Sequence, residues 1–332
     1  MADAVKGRAL ASAFELGLID CLAAAGPMRF FALRAKLKRD EKGLRMLLRL
    51  LRSNEVIEQQ EDLIRLTPLF HAALRYRDYI EMKLTFSTLV LHDLADFFTA
   101  LLSDPAAFQN RARLFRLFSY DGSLADSAEV REAARRWMRI TTLLTRYEAP
   151  ACLEHYDFSR YHRMLDIGGN SGEFARQACM RHPELSALVM DLPVVCRVGG
   201  EHMEGKQEAD RVGFLEGNAL VDPIPQGFDL ITFKSMLHDW PEQETMRFLS
   251  RAVEALAPGG TLLVFERSPL ESDECDLPFS VIPFLLFFRS FRDSSWYESR
   301  LKALGLTDVT TTTLRLDTPF HIITGRKQCS TN

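Results

Sequence analysis

Cysteine is scarce in this chain of 332 residues, and none of its six cysteines belongs to a CxxC pair or to another spacing that binds metal. We therefore expect no metal site. No secretory signal is visible at the N-terminus, and from this we predict reduced thiols and a cytoplasmic location.

The sequence also lacks an excess of basic residues and a long apolar run. Its net charge of −4 argues against nucleic acid or an anionic membrane as the main partner. The most apolar run, Val281 to Phe288, is too short to span a bilayer and contains Pro283. What remains is an ordinary composition, 47% hydrophobic and 26% charged, with enough length for one large domain and a smaller one.

Residues 1–76 are predicted to form helices followed by a two-stranded hairpin, which is typical of a winged-helix domain. The third helix begins after Asp40, a predicted N-cap, and carries four leucines on one face, namely Leu44, Leu47, Leu48 and Leu51. Its opposite face carries the basic residues Lys42, Arg45, Arg49 and Arg52. This stripe leaves open a DNA-binding regulator, although a solvated helix face is the simpler explanation.

Residues 77–150 are predicted to be mostly helical and apolar, which is typical of helices that bridge domains or pack against a second chain. Residues 151–332 alternate strands with helices and predict an α/β doubly wound sheet. A helix over "EQETMRFLSRAVEALAPGG" is expected to end at its glycines. The last two strands, "DVTTTTLRL" and "FHIITGR", predict an antiparallel hairpin at one end of the sheet.

The stretch "MLDIGGNSGEF" places Asp166 at the end of the first strand of this sheet, before a glycine loop and a helix. Gly168 and Gly169 allow a tight turn and the close approach of a ligand to the backbone. The loop does not match the GxGxxG fingerprint of dinucleotide-binding proteins, because Asn170 stands at the second required glycine. An acidic residue beside such a loop suits S-adenosylmethionine, which carries an ammonium and a sulfonium group and no phosphate.

Asp191 ends the second strand, and a carboxylate about 20 residues beyond a glycine loop binds ribose hydroxyls. Two carboxylates in one βαβ unit therefore favour a cofactor site. Helix capping by each of the two remains the alternative.

Four stretches resemble one family in order and spacing, namely "LDIGGNSGEF", "VMDLPVV", "EGNALVDPIPQGFDLITFKSMLHDW" and "APGGTLLVFERSPL". They are similar to the small-molecule O-methyltransferases of the plant caffeate type, and the resemblance extends over nearly the whole chain. It implies a seven-stranded Rossmann-like methyltransferase sheet with an N-terminal winged-helix dimerisation domain. It also implies a homodimer, a small-molecule acceptor and a role in secondary metabolism.

The resemblance implies S-adenosylmethionine as the cofactor. Together with the loop pattern it assigns cofactor binding to Asp166, Gly168, Gly169, Asp191, Leu192, Asn218, Ala219 and Lys234. The sequence departs from the family where Asn170 replaces a glycine and Asn218 replaces an aspartate. An Asn tolerates the left-handed backbone conformation, and its carbonyl accepts a hydrogen bond from an adenine amino group, so we expect binding to persist.

His238 follows the fourth strand, at the edge where such sheets place their chemistry. Methyl transfer from a sulfonium needs an aligned nucleophile that has lost its proton, and an imidazole is a suitable base for a phenol. Glu266 ends the neighbouring strand and is expected to orient the imidazole, and the resemblance implies catalytic roles for both. The family's second supporting acid has no matching Glu in "FFRSFRDSSWYE", where Asp293 is nearby.

The resemblance implies an acceptor pocket with two residues of the middle segment, one beside His238 and two of the aromatic run, namely Trp137, Met138, Asp239, Phe284 and Phe288. Core packing remains the alternative for the aromatic run. We expect a small aromatic hydroxyl as the acceptor. Methylation of nitrogen or carbon, and a relative that hydroxylates or decarboxylates instead, remain open alternatives.

Overall fold

The computed structural model describes residues 2–117, 127–270 and 279–329, and within these the chain separates into two compact units. The first unit holds residues 2–108 and 279–283, and the second holds the remaining described residues. The three segments predicted from the sequence have their boundaries after residues 76 and 150. The helix that follows residue 76 groups with the N-terminal unit, and the long helix that runs through residue 150 groups with the C-terminal unit.

The N-terminal unit combines helices with a small antiparallel sheet. Its elements are α1 (Ala2–Glu15), α2 (Leu18–Ala25), β1 (Met28–Arg29), α3 (Phe30–Leu37), α4 (Glu41–Ser53), β2 (Ile57–Gln60), β3 (Leu63–Leu66), α5 (Pro68–Ala73) and α6 (Arg77–Ser103). The predicted hairpin is β2–β3, and β1, which was not predicted, pairs with β3 as a third strand.

The amphipathic helix α4 follows its sequence pattern. The Asp40 side chain accepts a hydrogen bond of 2.6 Å from the Gly43 N–H and caps the helix, as expected. The four leucines predicted to share one face are buried, and the four basic residues on the opposite face are exposed. One of these, Arg45, pairs with Glu41 on the same helix at 2.9 Å, which is typical of a solvated helix face.

One helical stretch of the described residues, Pro68–Ser103, is long and apolar enough to cross a membrane, judged by length and composition alone. Only 39% of its most apolar window is buried. A single stretch of this kind is weak evidence, since core helices of soluble proteins pass the same test. The sequence pattern predicted an apolar helical segment from residue 77 onwards, but only the shorter run at Val281 was weighed as a possible membrane span.

The C-terminal unit contains a sheet with helices packed on it. Three helices come first, namely α7 (Pro105–Arg111), which begins in the N-terminal unit, α8 (Arg113–Leu117) and α9 (Ala128–His155). The remaining elements are β4 (Arg163–Ile167), α10 (Glu173–Arg181), β5 (Ser186–Asp191), α11 (Pro193–Met203), β6 (Val212–Glu216), β7 (Phe228–Lys234), α12 (Glu242–Ala255), β8 (Leu256–Arg267), α13 (Ser294–Ala303), β9 (Leu306–Arg315) and β10 (Pro319–Lys327).

The sheet has seven strands in the order β6-β5-β4-β7-β8-β10-β9, which confirms the predicted doubly wound α/β fold. Strands β4 to β8 pair with one another in parallel. Strand β10 is antiparallel to both β8 and β9, as the predicted terminal hairpin requires.

The helix predicted to end at the glycines of "ALAPGG" is shorter than expected. It ends at Ala255, and β8 begins at the next residue, Leu256. Pro258 lacks the N–H that a continuing helix needs, and Gly259 takes a left-handed φ of 76°. The pairing of β8 with β7 shifts register between Leu256 and Thr261. The four residues between them, 257–260, therefore form an irregular start of the strand.

Alternate side chains of β8 enter two different cores. Leu262 and Val264 belong to the cluster on one face of the sheet, and Leu263 and Phe265 belong to the cluster on the other. By the same alternation the next two residues of β8, which are acidic and basic, point to opposite faces. Glu266 and Arg267 therefore take part in separate polar clusters.

Candidate active site

Predicted site residues on neighbouring strands meet at one edge of the sheet. Asp191 and Lys234 are the last residues of β5 and β7, Asp166 is the last but one residue of β4, and Glu266 is the last but one residue of β8. These strands are parallel neighbours in the order β5-β4-β7-β8. Since the carboxyl ends of parallel strands lie at the same edge, the four side chains share one edge of the sheet.

The glycine loop leaves no room for side chains at two positions. Gly168 has a left-handed φ of 70°, and a Cβ there would lie 2.5 Å from Met236 Cγ. A Cβ on Gly169 would lie 2.5 Å from Asp166 Oδ2. The loop therefore needs glycine at both positions, for close packing against its neighbours as well as for its turn.

Asp191 accepts one hydrogen bond on each carboxylate oxygen. The Leu192 N–H donates to Oδ1 at 2.8 Å, and the Asn170 N–H donates to Oδ2 at 2.9 Å. Burial raises the pKa of Asp191 to about 6, although the two N–H groups oppose this shift. Each oxygen keeps a lone pair for a further donor, and neither bond caps a helix.

Asp166 is fully buried and only half satisfied. Its Oδ1 accepts a hydrogen bond of 2.6 Å from the Thr232 hydroxyl, whereas its Oδ2 has no hydrogen-bond partner among the described residues. Burial raises the pKa of Asp166 to about 7, against the effect of Thr232, and the charge of Asp191 adds to the increase. Helix capping does not explain this carboxylate either.

Lys234 is held by helix α9. Its Nζ lies 2.5 Å from Glu148 Oε2 and donates to Thr145 Oγ1 at 3.0 Å. An ammonium group has three donors, so one remains after these two bonds. The sequence assigned Lys234 to the cofactor and did not foresee its carboxylate partner.

Glu148 joins Lys234 to a second buried cation. Its other oxygen, Oε1, accepts a hydrogen bond from Arg267 Nη2, and Arg267 Nη1 donates to Asp317 Oδ1 at 2.9 Å. The side chains of Glu148 and Arg267 are each 4% exposed. The four charges form a buried network that ties α9 to β7, β8 and the connection between β9 and β10.

His238 and Glu266 form a close pair. His238 Nδ1 lies 2.8 Å from Glu266 Oε1, and only 11% of the imidazole side chain is exposed. Burial alone lowers the pKa of His238, but the charges of Glu266 and Asp239 outweigh it and raise that pKa. The nearest oxygen of Asp239 is 3.4 Å from Nε2, so the imidazole lies between two carboxylates.

Two aromatic rings that the sequence argument did not single out contact His238. The rings of Phe287 and Phe291 each have their centroid 5.2 Å from that of the imidazole. The predicted pocket residue Phe284 is buried and lies under the Arg267 guanidinium at 3.7 Å. Phe288 is half-buried beside Arg289.

The other predicted pocket residues differ in how deeply they are buried. Met138 is buried in a small cluster with Leu192 and Val195. Trp137, its neighbour on α9, is half-buried, and Asp239 is exposed. Leu192, expected on the adenine side of a cofactor, and Met138, expected in an acceptor wall, thus pack against the same apolar cluster.

The segment "FRDSS" contains an acidic residue, Asp293, and a basic one, Arg292. Asp293 is exposed and precedes α13, and its side chain makes no capping hydrogen bond. Arg292 instead donates to the carbonyl oxygens of Leu237 at 3.0 Å and Trp240 at 2.6 Å. The guanidinium therefore fixes the turn that carries His238.

Asn218 and Ala219 follow β6 at the same edge of the sheet. Asn218 Oδ1 accepts a hydrogen bond of 2.9 Å from the Leu220 N–H, which leaves one lone pair on that oxygen. Ala219 is buried, and its carbonyl accepts a bond of 2.8 Å from Arg251 Nε.

The sequence signals for the missed residues differ. Phe287 and Phe291 are four residues apart in the aromatic run, but nothing local decides which rings of that run face the histidine. Glu148 lies within a long amphipathic helix, where a glutamate ordinarily predicts a solvated position. Only its burial at 3% exposure reveals the network.

Comparisons with known proteins match two long parts of the chain. Residues 92–277 match the O-methyltransferase domain family, and residues 1–73 match the O-methyltransferase dimerisation domain. The chain belongs to the O-methyltransferase family. It is accordingly an enzyme of S-adenosylmethionine-dependent methyl transfer to small molecules.

Two curated relatives and one solved structure indicate the range of the family. The N,N-dimethyltransferase OxyT of Streptomyces rimosus is 30% identical over 264 residues, which cover 79% of this chain and 74% of OxyT. The 3-hydroxy-5-methyl-1-naphthoate 3-O-methyltransferase of Streptomyces sahachiroi is 36% identical over 110 residues, and this match covers 33% of the chain and 32% of that enzyme. The structure of the mitomycin 7-O-methyltransferase MmcR is 26% identical, covers 98% of this chain and 94% of its own, and has a TM-score of 0.72.

Glu148→Gln is expected to destabilise the protein strongly, because it leaves two buried cations without their shared carboxylate. We expect a loss of about 3–5 kcal/mol in the free energy of unfolding, measured by urea denaturation. Glu154→Gln is the matched control on the same helix, since Glu154 is exposed and pairs with Arg181 only at 3.5 Å. Equal effects of the two variants would contradict the network.

Asp166→Asn is expected to stabilise the ligand-free protein in a manner that depends on pH. The folded-state pKa of about 7 lies well above the value of about 3.9 for an aspartate in an unfolded chain, so the wild-type protein loses stability as pH rises between these values. The variant should therefore gain on the order of 4 kcal/mol above pH 7, and much less near pH 4. Thermal unfolding across this pH range tests the prediction, and a gain that is independent of pH would refute it.

Proposed function

We propose that the protein transfers a methyl group from S-adenosylmethionine to a hydroxyl group of a small aromatic acceptor, with His238 as the general base. The observation that carries this proposal is the 2.8 Å pair between His238 Nδ1 and Glu266 Oε1 at the carboxyl edge of the sheet. The family membership supplies the cofactor, and the pair supplies a group that can accept the proton of the acceptor.

The residues at the edge fit this cofactor. The Oδ2 atom of Asp166 is buried without a described partner, and Asp191 has a free lone pair on each oxygen for ribose hydroxyls. Gly168 and Gly169 let the loop pack closely against Met236 and Asp166, which holds it beside these carboxylates. When bound, S-adenosylmethionine supplies a methyl group that is activated by a positively charged sulfur.

Glu266 gives the imidazole its orientation. By accepting the Nδ1–H it leaves Nε2 to take a proton from the acceptor. Asp239 faces Nε2 and favours the protonated imidazole in the ligand-free protein. His238 must lose this proton before it can act as a base, so turnover should rise with pH.

The surroundings of His238 favour an aromatic acceptor. The rings of Phe287 and Phe291 lie against the imidazole, and aromatic surroundings of this kind suit a flat acceptor. The naphthoate 3-O-methyltransferase of Streptomyces sahachiroi, by its name, methylates an acceptor of this kind.

A nitrogen acceptor is the second candidate. It is favoured by the similarity to OxyT, an N,N-dimethyltransferase, over 79% of this chain. A labelled-methyl screen of matched aromatic alcohols and amines separates the two. Methylation of amines with no turnover of phenols would overturn the proposed hydroxyl acceptor.

His238→Gln is expected to lower turnover on a weakly acidic phenol by roughly 10²–10⁴, the usual contribution of a positioned general base. Binding of S-adenosylmethionine, measured by calorimetry, should be unchanged. The loss should shrink for phenols of lower pKa, because these ionise without help. In the wild-type protein kcat/KM should increase with pH through an apparent pKa above 6.5, since the carboxylates raise the pKa of His238.

His162→Gln is the control for this experiment. His162 lies near Asp229 at 3.7 Å, is 70% exposed and precedes β4, at the opposite edge of the sheet. It should keep full turnover. Wild-type turnover by His238→Gln on a weakly acidic phenol would end the assignment of the base.

We further propose that the protein is a homodimer formed through its N-terminal unit. The match to the dimerisation domain covers residues 1–73, and Phe31 and Leu69 in this region are 62% and 76% exposed. Burying such side chains against a second copy would remove apolar surface from water.

Light scattering should give twice the chain mass of 37.8 kDa. The double variant Phe31→Asp, Leu69→Asp should dissociate at protein concentrations where the wild-type protein does not. Val221→Asp, at a position that is 65% exposed in the C-terminal unit, is the matched control and should remain dimeric. A monomer mass for the wild-type protein at micromolar concentration would refute the dimer.

A further inference from the structure

Asn170 stands in a left-handed conformation within the glycine loop, with a φ of 55°. The family resemblance predicts a glycine there, which takes this conformation without cost. An Asn tolerates it better than most residues, but the conformation still needs support from its surroundings.

That support comes from helix α9. Asn170 Oδ1 accepts hydrogen bonds from the Ser171 N–H at 2.9 Å and from the Thr141 hydroxyl at 3.1 Å. The bond from Ser171 fixes which end of the amide carries the oxygen, so the Thr141 hydroxyl must act as the donor. The other acceptors in reach of this hydroxyl, the carbonyl oxygens of Met138 and Trp137, are farther away at 3.2 and 3.4 Å.

The same asparagine reaches the ribose carboxylate of the proposed site. Its backbone N–H donates to Asp191 Oδ2 at 2.9 Å. A continuous chain of bonds thus leads from Thr141 through Asn170 to Asp191. A neighbouring bond of 2.7 Å, from Thr142 to the Ser171 hydroxyl, holds the next residue of the loop to the same helix.

We propose that Thr141 is a positioning residue for cofactor binding, because its hydroxyl holds Asn170 in the left-handed conformation that presents the N–H to Asp191. This inference rests on the proposed cofactor site. It explains how the loop keeps its shape although one of the expected glycines is absent. Thr141 and Asn170 act as one unit, and a glycine at position 170 makes the hydroxyl unnecessary.

A double-mutant cycle tests the coupling. Thr141→Val removes the hydroxyl and leaves a side chain of nearly the same shape. It should weaken the binding of S-adenosylhomocysteine by about fivefold to tenfold, the usual effect of one lost hydrogen bond. In an Asn170→Gly background the same change should alter the affinity by less than about twofold, because the coupling is gone. Thr141→Ser keeps the hydroxyl and should restore wild-type affinity.

Thr88→Val is the control for the loss of a helix hydroxyl. Thr88 Oγ1 donates only to the Leu84 carbonyl within α6, at 2.7 Å, so its removal should leave the affinity unchanged. Thr141→Val with wild-type affinity would overturn the proposal. So would an equal loss in both backgrounds, since that result describes a general weakening of α9.

Hydrogen exchange in the ligand-free protein tests the coupling independently of the cofactor. Thr141→Val should speed exchange of the Asn170 and Ser171 amides in the wild-type background and not in the Asn170→Gly background. If the wild-type protein binds no S-adenosylhomocysteine, the proposed site fails, while the exchange rates still decide whether Thr141 positions the loop. Unchanged exchange in Thr141→Val would refute that role.

Discussion

A single buried carboxylate, that of Glu148, holds the long helix α9 to the edge of the sheet where the predicted site residues meet. It lies between Lys234 and Arg267, which come from neighbouring strands and cannot be buried without a negative charge beside them. Because both cations must reach one carboxylate, the helix can dock in one register only. That register also places Thr141, about two turns earlier on α9, against the glycine loop.

The two polar centres at this edge stay separate because β8 alternates its side chains. Glu266 points to the face that carries His238, whereas Arg267 points to the face of Glu148 and is covered by the rings of Phe284 and Phe320. The sheet thereby keeps the carboxylate that orients the imidazole away from the guanidinium that would compete for it. One strand end thus supports both the proposed base and the docking of α9.

The site contains groups that cost stability in the ligand-free protein. Asp166 is buried with one oxygen that has no hydrogen-bond partner among the described residues, and the same holds for Glu266 Oε2. Arrangements of this kind persist where function requires them, since a ligand that brings positive charge and hydrogen-bond donors relieves the cost. The rest of the sheet is built from tightly packed apolar residues, and their packing offsets this cost in free energy.

The sequence by itself determined the order of strands and helices, the glycine loop, and the polar residues that end four of the parallel strands. These features depend on local periodicity and on the residues at which helices and strands begin and end. A window of about ten residues is therefore enough to predict them. It did not determine where the helix before β8 ends, because Pro258 and Gly259 also permit an irregular strand start. Only the tertiary structure decided that Phe287 and Phe291 face His238 and that Glu148 is buried. Its two cations lie 86 and 119 residues away along the chain, and such partners are chosen by the packing of helix on sheet rather than by any local pattern.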